Sequence, residues 1–312
     1  MKVAITGATG FIGAEIVNGL AELDRNGRSI TLSALVRHEL GGLGGARLVR
    51  GDLSDAHSLA LLVRGADVLI HAATYVGADS AQQTHVNVHG TSRLVSAARA
   101  EGVARIVYLS TAGVYGGTFA RGEAEVELAA SPRSALSRSR RDAEELVLAH
   151  GGAVVRPNMV TGRGDRWFLA PLLGVLGNLD AWIENGSARV SVISTSALGS
   201  AMASLAVRTT ESGVFNAASP EPVTIRDLVT PVYALLERPL PSRSIGFAEA
   251  RDRLAPYGIT ETALAVIAQD NWFDSSKLWR SVSGRASERP PLLSKDAEWY
   301  AKQISKSDAP NM

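Results

Sequence analysis

Gly7, Gly10 and Gly13 punctuate the run Thr6-Gly7-Ala8-Thr9-Gly10-Phe11-Ile12-Gly13 near the start of the chain. Glycines at this spacing serve a dinucleotide pyrophosphate: the first makes a tight bend, the second lets backbone approach the phosphates, and the third lets a helix pack on the preceding strand. A helix starting there adds free N–H groups and the positive end of its dipole. Thr9, Phe11 and Ile12 lie in the same turn and join the cofactor-contacting candidates. Further on, Ala34-Leu35-Val36-Arg37-His38 places Arg37 where a site selective for an unphosphorylated ribose carries a carboxylate. A guanidinium there matches a 2′-phosphate in charge and in fork geometry, and no acid appears before Glu39. The expected cofactor is therefore NADP(H). The plainer alternative is an exposed surface arginine.

These groups need a strand, a turn and a helix in sequence. Lys2-Val3-Ala4-Ile5 is apolar with β-branched members, and Ala14 to Leu23 has the pattern of an amphipathic helix. Strands are predicted at Ile30 to Val36, Arg47 to Arg50, Asp67 to His71, Arg105 to Leu109 and Ala153 to Arg156. Helices are predicted from a Ser54 cap to about Arg64, over 82–101 and over 133–150. This alternation implies an α/β fold, a Rossmann-type doubly wound parallel sheet. Beyond Pro157 the alternation breaks, and prolines interrupt the helical segments after Pro220. The predicted organisation is a dinucleotide-binding domain over 1–157, rejoined by roughly 190–217. A smaller C-terminal substrate domain takes 158–189 and 218–304, and a disordered tail takes 305–312.

With 312 residues, 46% hydrophobic, 20% charged and a net charge of +1, the composition is that of an ordinary globular protein. Near-neutral charge argues against a nucleic-acid or membrane-surface role, and no apolar run approaches the roughly 20 residues of a membrane span. The absence of cysteine excludes thiol catalysis, disulfides and cysteine metal sites, and no metal site is expected. The glycine turn starts too early for a signal peptide, so a cytoplasmic location is the default. The expected partner is a small-molecule substrate, with the protein a monomer or a homodimer.

Several further segments, with the glycine turn, resemble the extended short-chain dehydrogenases/reductases, the NAD-dependent epimerase/dehydratase family. Gly51-Asp52-Leu53 resembles the segment whose aspartate contacts the adenine, and His71-Ala72-Ala73 the one that lines the cofactor. Asn87-Val88-His89-Gly90-Thr91 resembles the N-x-x-G-T helix element, and Leu109 to Gly116 the active-site segment after strand five. Arg156-Pro157-Asn158 and Thr161 to Asp165 resemble the opening of the substrate domain. The resemblance implies cofactor contacts at Asp52, Leu53, Ala72, Ala73 and Pro157, and a carbonyl-orienting hydroxyl at Thr111 with Ser110 beside it. Taken alone, Asp52 reads as a turn residue, His71 as a buried strand-end histidine, Asn87 as a structural bridge and Tyr115 as packing.

Enzymes of this kind carry a Tyr-x-x-x-Lys pair on the helix after strand five, one helix face holding proton donor and cation. This chain places Leu136 and Arg140 there, with no tyrosine between 115 and 233 and no lysine between 2 and 277. Arg140 could still reach the nicotinamide ribose; leucine cannot give a proton. Three functions fit. One is an NADPH-dependent ketoreductase of an aromatic, angucyclinone-like polyketide in antibiotic biosynthesis. Its proton would come from water, from Ser110 and Thr111, or from a substrate phenol beside the ketone. The others are a non-catalytic NADP-binding sensor and a nucleotide-sugar ketoreductase or epimerase. Tyr115, Leu136, Asn158 and Trp167 are the substrate-side candidates. The apolar character around Trp167-Phe168-Leu169 suits a flat hydrophobic substrate or, as readily, core packing.

Overall fold

The structure, a computed structural model, describes residues 1–38, 42–117, 119–282 and 292–307, with backbone alone for 305–307. Glu39, the nearest acid after Arg37, lies outside the described residues.

Seven strands form the central sheet: β1 (Lys2–Thr6), β2 (Thr31–Val36), β3 (Arg47–Arg50), β4 (Val68–His71), β5 (Arg105–Leu109), β6 (Ala153–Pro157) and β7 (Gly213–Ala217). Their order is β7-β6-β5-β4-β1-β2-β3, and every neighbouring pair is parallel. The fold is thus the doubly wound Rossmann-type α/β sheet expected from the alternation. β4, β5 and β6 are buried along their whole length, as strands covered by helices on both faces must be. Strand order reverses between β1 and β4, so a crevice opens beyond their carboxyl ends, where Gly7 and Ala72 lie.

The helices are α1 (Gly13–Leu23), α2 (Ala56–Val63), α3 over 80–100, α4 (Ala135–Ala149), α5 (Leu169–Leu179), α6 (Thr195–Arg208), α7 (Ile225–Leu235), α8 (Phe247–Leu254), α9 (Glu261–Ala268), α10 (Ser276–Ser281) and α11 (Ser294–Ser307). α1 and α6 cover one face of the sheet, around Ile16, Leu20, Leu198 and Met202, while α2, α3 and α4 cover the other, around Leu59, Leu94 and Val147. Local sequence sets their ends. Ser134 and Ser137 exchange side-chain-to-backbone hydrogen bonds of 3.0 and 3.1 Å at the start of α4. At α2 the cap is Asp55, whose carboxylate accepts from the His57 amide at 3.0 Å; the expected cap, Ser54, instead donates its hydroxyl to Asp52 at 2.5 Å. α3 contains a π segment, Thr84–Gly90, which carries the buried Asn87.

α5, α7 and α11 enclose a second core around Leu172, Trp182, Val232 and Tyr300. The chain leaves it through α6 and β7, to rejoin the sheet beside β6, and again through α10, whose Leu278 joins the core under α1 and α6. α11 continues three residues past Ile304, and 308–312 lie outside the described residues. Among the described residues no helix is long and apolar enough to cross a membrane.

α1 meets α6 at a glycine crossing. A Cβ on Gly199 would collide with the Glu15 backbone, and one on Gly19 would lie 3.0 Å from the Gly199 carbonyl oxygen. A methyl at 199 must therefore push apart the helix pair that seals this face of the sheet. Gly199→Ala is expected to lower unfolding stability by about 1–3 kcal/mol, read as a shift in urea midpoint.

Candidate active site

Gly7 takes a left-handed conformation with φ +75°, and a Cβ there would lie 2.5 Å from the Ala73 nitrogen. The turn can thus press against the Ala72-Ala73 segment only without a side chain. A Cβ on Gly13 would overlap the Gly7 carbonyl, whereas one on Gly10 would meet only that oxygen, at 3.3 Å. α1 begins without a side-chain cap, and its first internal bonds run from Ala14 to Gly10 and from Ile16 to Ile12. The amides of Phe11, Ile12 and Gly13 consequently make no hydrogen bond among the described residues. Three unpaired donors at the positive end of a helix fit a phosphate group.

Arg37 and Asp52, both exposed, are brought together past the ends of β2 and β3. Hydrogen bonds from Ser54 hold the Asp52 carboxyl below its ordinary pKa, and the Arg37 charge adds to this. Leu53 points inward, beneath Gly90 of α3, so its side chain supports the turn from below.

The crevice floor is a polar cluster in an apolar surround. Thr91 donates its hydroxyl proton to the Asn87 carbonyl at 2.5 Å, so it must accept from His71 Nε2–H at 2.9 Å. His71 Nδ1 then accepts from the Thr6 hydroxyl at 2.7 Å. Burial drives the His71 pKa down to about 3, and the charge of Arg140 pushes the same way. Asn87 spans the loop after β4: its amide accepts from the Tyr75 N–H at 2.8 Å and donates to the Tyr75 carbonyl at 3.0 Å and to Ser139 at 3.0 Å. Asn87 is thus the structural bridge anticipated for it.

α4 carries two buried charges, Arg140 and Glu144, one helical turn apart. The Arg140 guanidinium donates to the Tyr108 hydroxyl at 2.8 Å, to the Thr74 hydroxyl at 3.1 Å and to the Leu109 carbonyl. It occupies the expected lysine position with its donors turned onto β5 and the β4 loop. Glu144 accepts from Arg156 through both oxygens, at 2.9 and 2.5 Å, and from the Ser110 hydroxyl at 2.5 Å. Burial alone would lower the Arg156 pKa, but the Glu144 hydrogen bonds and charge hold it above the ordinary arginine value.

Of the two expected hydroxyls, Ser110 is 4% exposed and its proton is used on Glu144, whereas Thr111 is half-buried at the crevice. Thr111 Oγ accepts from the Gly113 amide at 3.0 Å, which leaves its proton for another acceptor. Leu136 is half-buried one turn before Arg140. Tyr115 is 1% exposed, donates to Asn216 at 2.7 Å and lies against the Arg156 guanidinium, so its ring and hydroxyl are committed to packing. Pro157 is buried at the end of β6. The next residue, Asn158, has a buried Nδ2 with no hydrogen-bond partner among the described residues. Trp167 is 59% exposed and rests on Phe11 of the glycine turn. Among the described residues no group of three His, Asp or Glu side chains is placed to hold a metal ion.

Sequence reasoning missed Glu144, Arg156 and Tyr108 as a unit. The one available signal was an arginine inside the apolar run Ala153-Val154-Val155-Arg156, since a buried strand admits a charge only with a partner.

A parallel sheet with a glycine turn at its switch point and a hydroxyl after β5 defines an extended short-chain dehydrogenase/reductase. Residues 4–179 match the 3-beta hydroxysteroid dehydrogenase/isomerase family, and the chain belongs to it, an oxidoreductase family acting on the CH–OH/C=O couple. Similar curated proteins include the 2-alkyl-3-oxoalkanoate reductase of Stenotrophomonas maltophilia, 29% identical over 80% of each chain. Another is the 4-hydroxy-2-methyl-3-oxo-4-farnesyl-3,4-dihydroquinoline-1-oxide ketoreductase of Stigmatella aurantiaca, 28% identical over 74% of this chain and 72% of that one. Among solved structures, a short-chain dehydrogenase/reductase superfamily protein from Agrobacterium tumefaciens with bound NAD shares the fold at a TM-score of 0.71. It is 19% identical, over 98% of this chain and 99% of that one.

His71 gives the site a pH signature. Its folded pKa is depressed from 6.5 to about 3, so below pH 6.5 the unfolded chain binds a proton that the folded one refuses. Stability from this group is complete above pH 6.5 and declines towards pH 3, by about 1.4 kcal/mol per pH unit. Unfolding free energies from urea titrations between pH 6 and pH 4 are expected to fall less steeply in His71→Asn, by about that amount per pH unit.

Proposed function

We propose that the chain is an NADPH-dependent ketoreductase that reduces a carbonyl of an aromatic, angucyclinone-like polyketide in antibiotic biosynthesis. One observation carries this reading: Thr111 keeps a hydroxyl proton for a substrate oxygen while Leu136, one turn before Arg140, stands where the resemblance places the acid. The site orients a ketone yet offers it no acid of the usual kind. The two curated ketone reductases, matched over most of this chain, support a ketone as substrate. In lacking both tyrosine and lysine on an intact scaffold, the chain resembles the angucyclinone ketoreductase of simocyclinone biosynthesis.

In this reading the amides of Phe11, Ile12 and Gly13 hold the pyrophosphate, with Thr9 and Gly10 beside them. Arg37 holds the 2′-phosphate, Asp52 with Leu53 the adenine end, and Ala72, Ala73 and Pro157 line the nicotinamide half. A bound NADPH supplies hydride to the ketone carbon. Thr111 donates a hydrogen bond to the ketone oxygen, and the unpaired Nδ2 of Asn158 serves a second substrate oxygen, since leaving it unpaired costs about 1–3 kcal/mol. Arg140, fixed by Tyr108, Thr74 and Leu109, keeps a positive field beneath the ribose. The proton comes from a phenol next to the ketone, whose pKa near 10 equals that of the missing tyrosine, or from water. General-acid help is typically about 10²–10⁴-fold, so an oriented and activated ketone can be reduced without it. The enzyme is placed in the cytoplasm, as a monomer or homodimer.

Decay of NADPH absorbance with a ketone panel tests the reading. Turnover confined to ketones with a free neighbouring phenol, and lost on methylation of that phenol, is the expected result. Tight NADPH binding without turnover on any ketone would make the chain a cofactor sensor, and turnover of a nucleoside-diphosphate ketosugar would make it a sugar enzyme. Arg37→Asp is expected to shift preference from NADPH to NADH; unchanged selectivity would place 2′-phosphate recognition elsewhere. Leu136→Tyr is expected to add little to kcat, because the substrate already carries its phenol. A gain approaching the roughly 10²-fold of an ordinary general acid would refute substrate-assisted protonation.

A further inference from the structure

Trp167 is a substrate candidate by sequence, but its surroundings belong to the glycine turn. Its indole lies 5.6 Å from the Phe11 ring, centroid to centroid, at an interplanar angle of 45°. Three residues earlier, Gly164 has φ +102°, and a Cβ there would sit 3.4 Å from Phe11 Cδ2. The 162–168 loop, which opens the C-terminal region, therefore lies against the residue whose own amide is among the unpaired donors of α1. Trp167 remains 59% exposed, among the largest apolar surfaces open to solvent. A second indole surface is thus free at the rim of the phosphate turn. Arg163 and Arg166, both exposed, bring two cations to the same loop.

The loop is held in place by a buried clamp. Asp165, 1% exposed, accepts from the amides of Trp167 at 2.8 Å, Phe168 at 3.0 Å and Leu169 at 2.8 Å. The Tyr300 hydroxyl of α11 donates to Asp165 at 2.9 Å and accepts from the Gly162 amide at 3.0 Å. Burial raises the Tyr300 pKa, and the adjoining Asp165 charge raises it further, so the phenol stays a donor. Trp167 is therefore presented by a loop tied at both ends.

We propose that the 162–168 loop is a second wall of the dinucleotide site, in which Trp167, tilted against Phe11, covers the pyrophosphate and slows cofactor release. The proposal rests on the assignment of a dinucleotide to the glycine turn. It gives Trp167 to the cofactor and not to the ketone. Chemically, the loop recognises the diphosphate of a dinucleotide: amides of α1 bind it from one side, and an aromatic cover with flanking cations excludes water from the other.

Calorimetric titration separates the two claims. Wild-type protein should bind NADPH, and also adenosine 2′,5′-bisphosphate, which has the adenosine end without the diphosphate. Trp167→Ala should weaken NADPH about fivefold, the loss expected for one aromatic contact, and leave the bisphosphate within about twofold. Stopped-flow displacement should show the NADPH loss in a faster off-rate, and Trp167→Phe should recover most of it. Failure of the wild type to bind either ligand would overturn the dinucleotide assignment itself. Wild-type binding with an unchanged NADPH Kd in Trp167→Ala, and a raised KM for the ketone, would overturn only the cover and return Trp167 to the substrate. Equal weakening of both ligands would also overturn it, since the adenosine end would then be what the indole supports.

Discussion

Two opposite charges buried one turn apart on α4 hold the site together. A charge removed from water must be met by partners within hydrogen-bond distance, and each of these recruits its partners from a different segment. Arg140 gathers the β4 loop through Thr74 and the end of β5 through Tyr108 and Leu109. Glu144 gathers Ser110 just beyond β5 and Arg156 near the end of β6. Thr111, between Ser110 and the Ala112–Tyr115 turn, takes its direction from that pair of anchors. The carboxyl ends of three strands are thus registered to one helix by electrostatics, where apolar packing alone would permit sliding.

The same arrangement explains how the helix does without the usual acid and base. A lysine in place of Arg140 would donate from a single nitrogen, whereas the guanidinium spreads its donors over a planar fork that here reaches three acceptors on two segments at once. That geometry turns the cation into structure and leaves it no role in moving protons, because arginine does not deprotonate. With Leu136 beside it, the helix face offers shape and a fixed field. On the proposed reading, any proton comes from the ligand or from solvent.

The fold is legible because a parallel sheet writes itself as alternating apolar runs, and the glycine turn is legible because its spacing answers a steric demand. Thr111 is found from its place in the motif after β5. The roles of Ser110 and Tyr115 are not legible. Both sit in that same motif, and only the packed structure shows their hydroxyls committed to Glu144 and Asn216. Ser54 reads as a cap because residue type alone ranks serine with aspartate, while the neighbouring Asp52 and Asp55 decide between them in space. Trp167 reads as a substrate contact from its apolar company in sequence, although its ring neighbour, Phe11, lies far away in the chain.

The clamp between Tyr300 and Asp165 also has a bearing on biosynthesis. The sheet is complete once β7 has been made, at residue 217, and domains fold as units while the chain is still emerging from the ribosome. The loop against the glycine turn, however, waits for Tyr300 of α11. A nascent chain therefore holds a finished sheet with the loop lacking this tether until α11 has emerged. Tethering of the loop follows completion of the sheet, and a chain released between the two would keep its sheet but lose the tether.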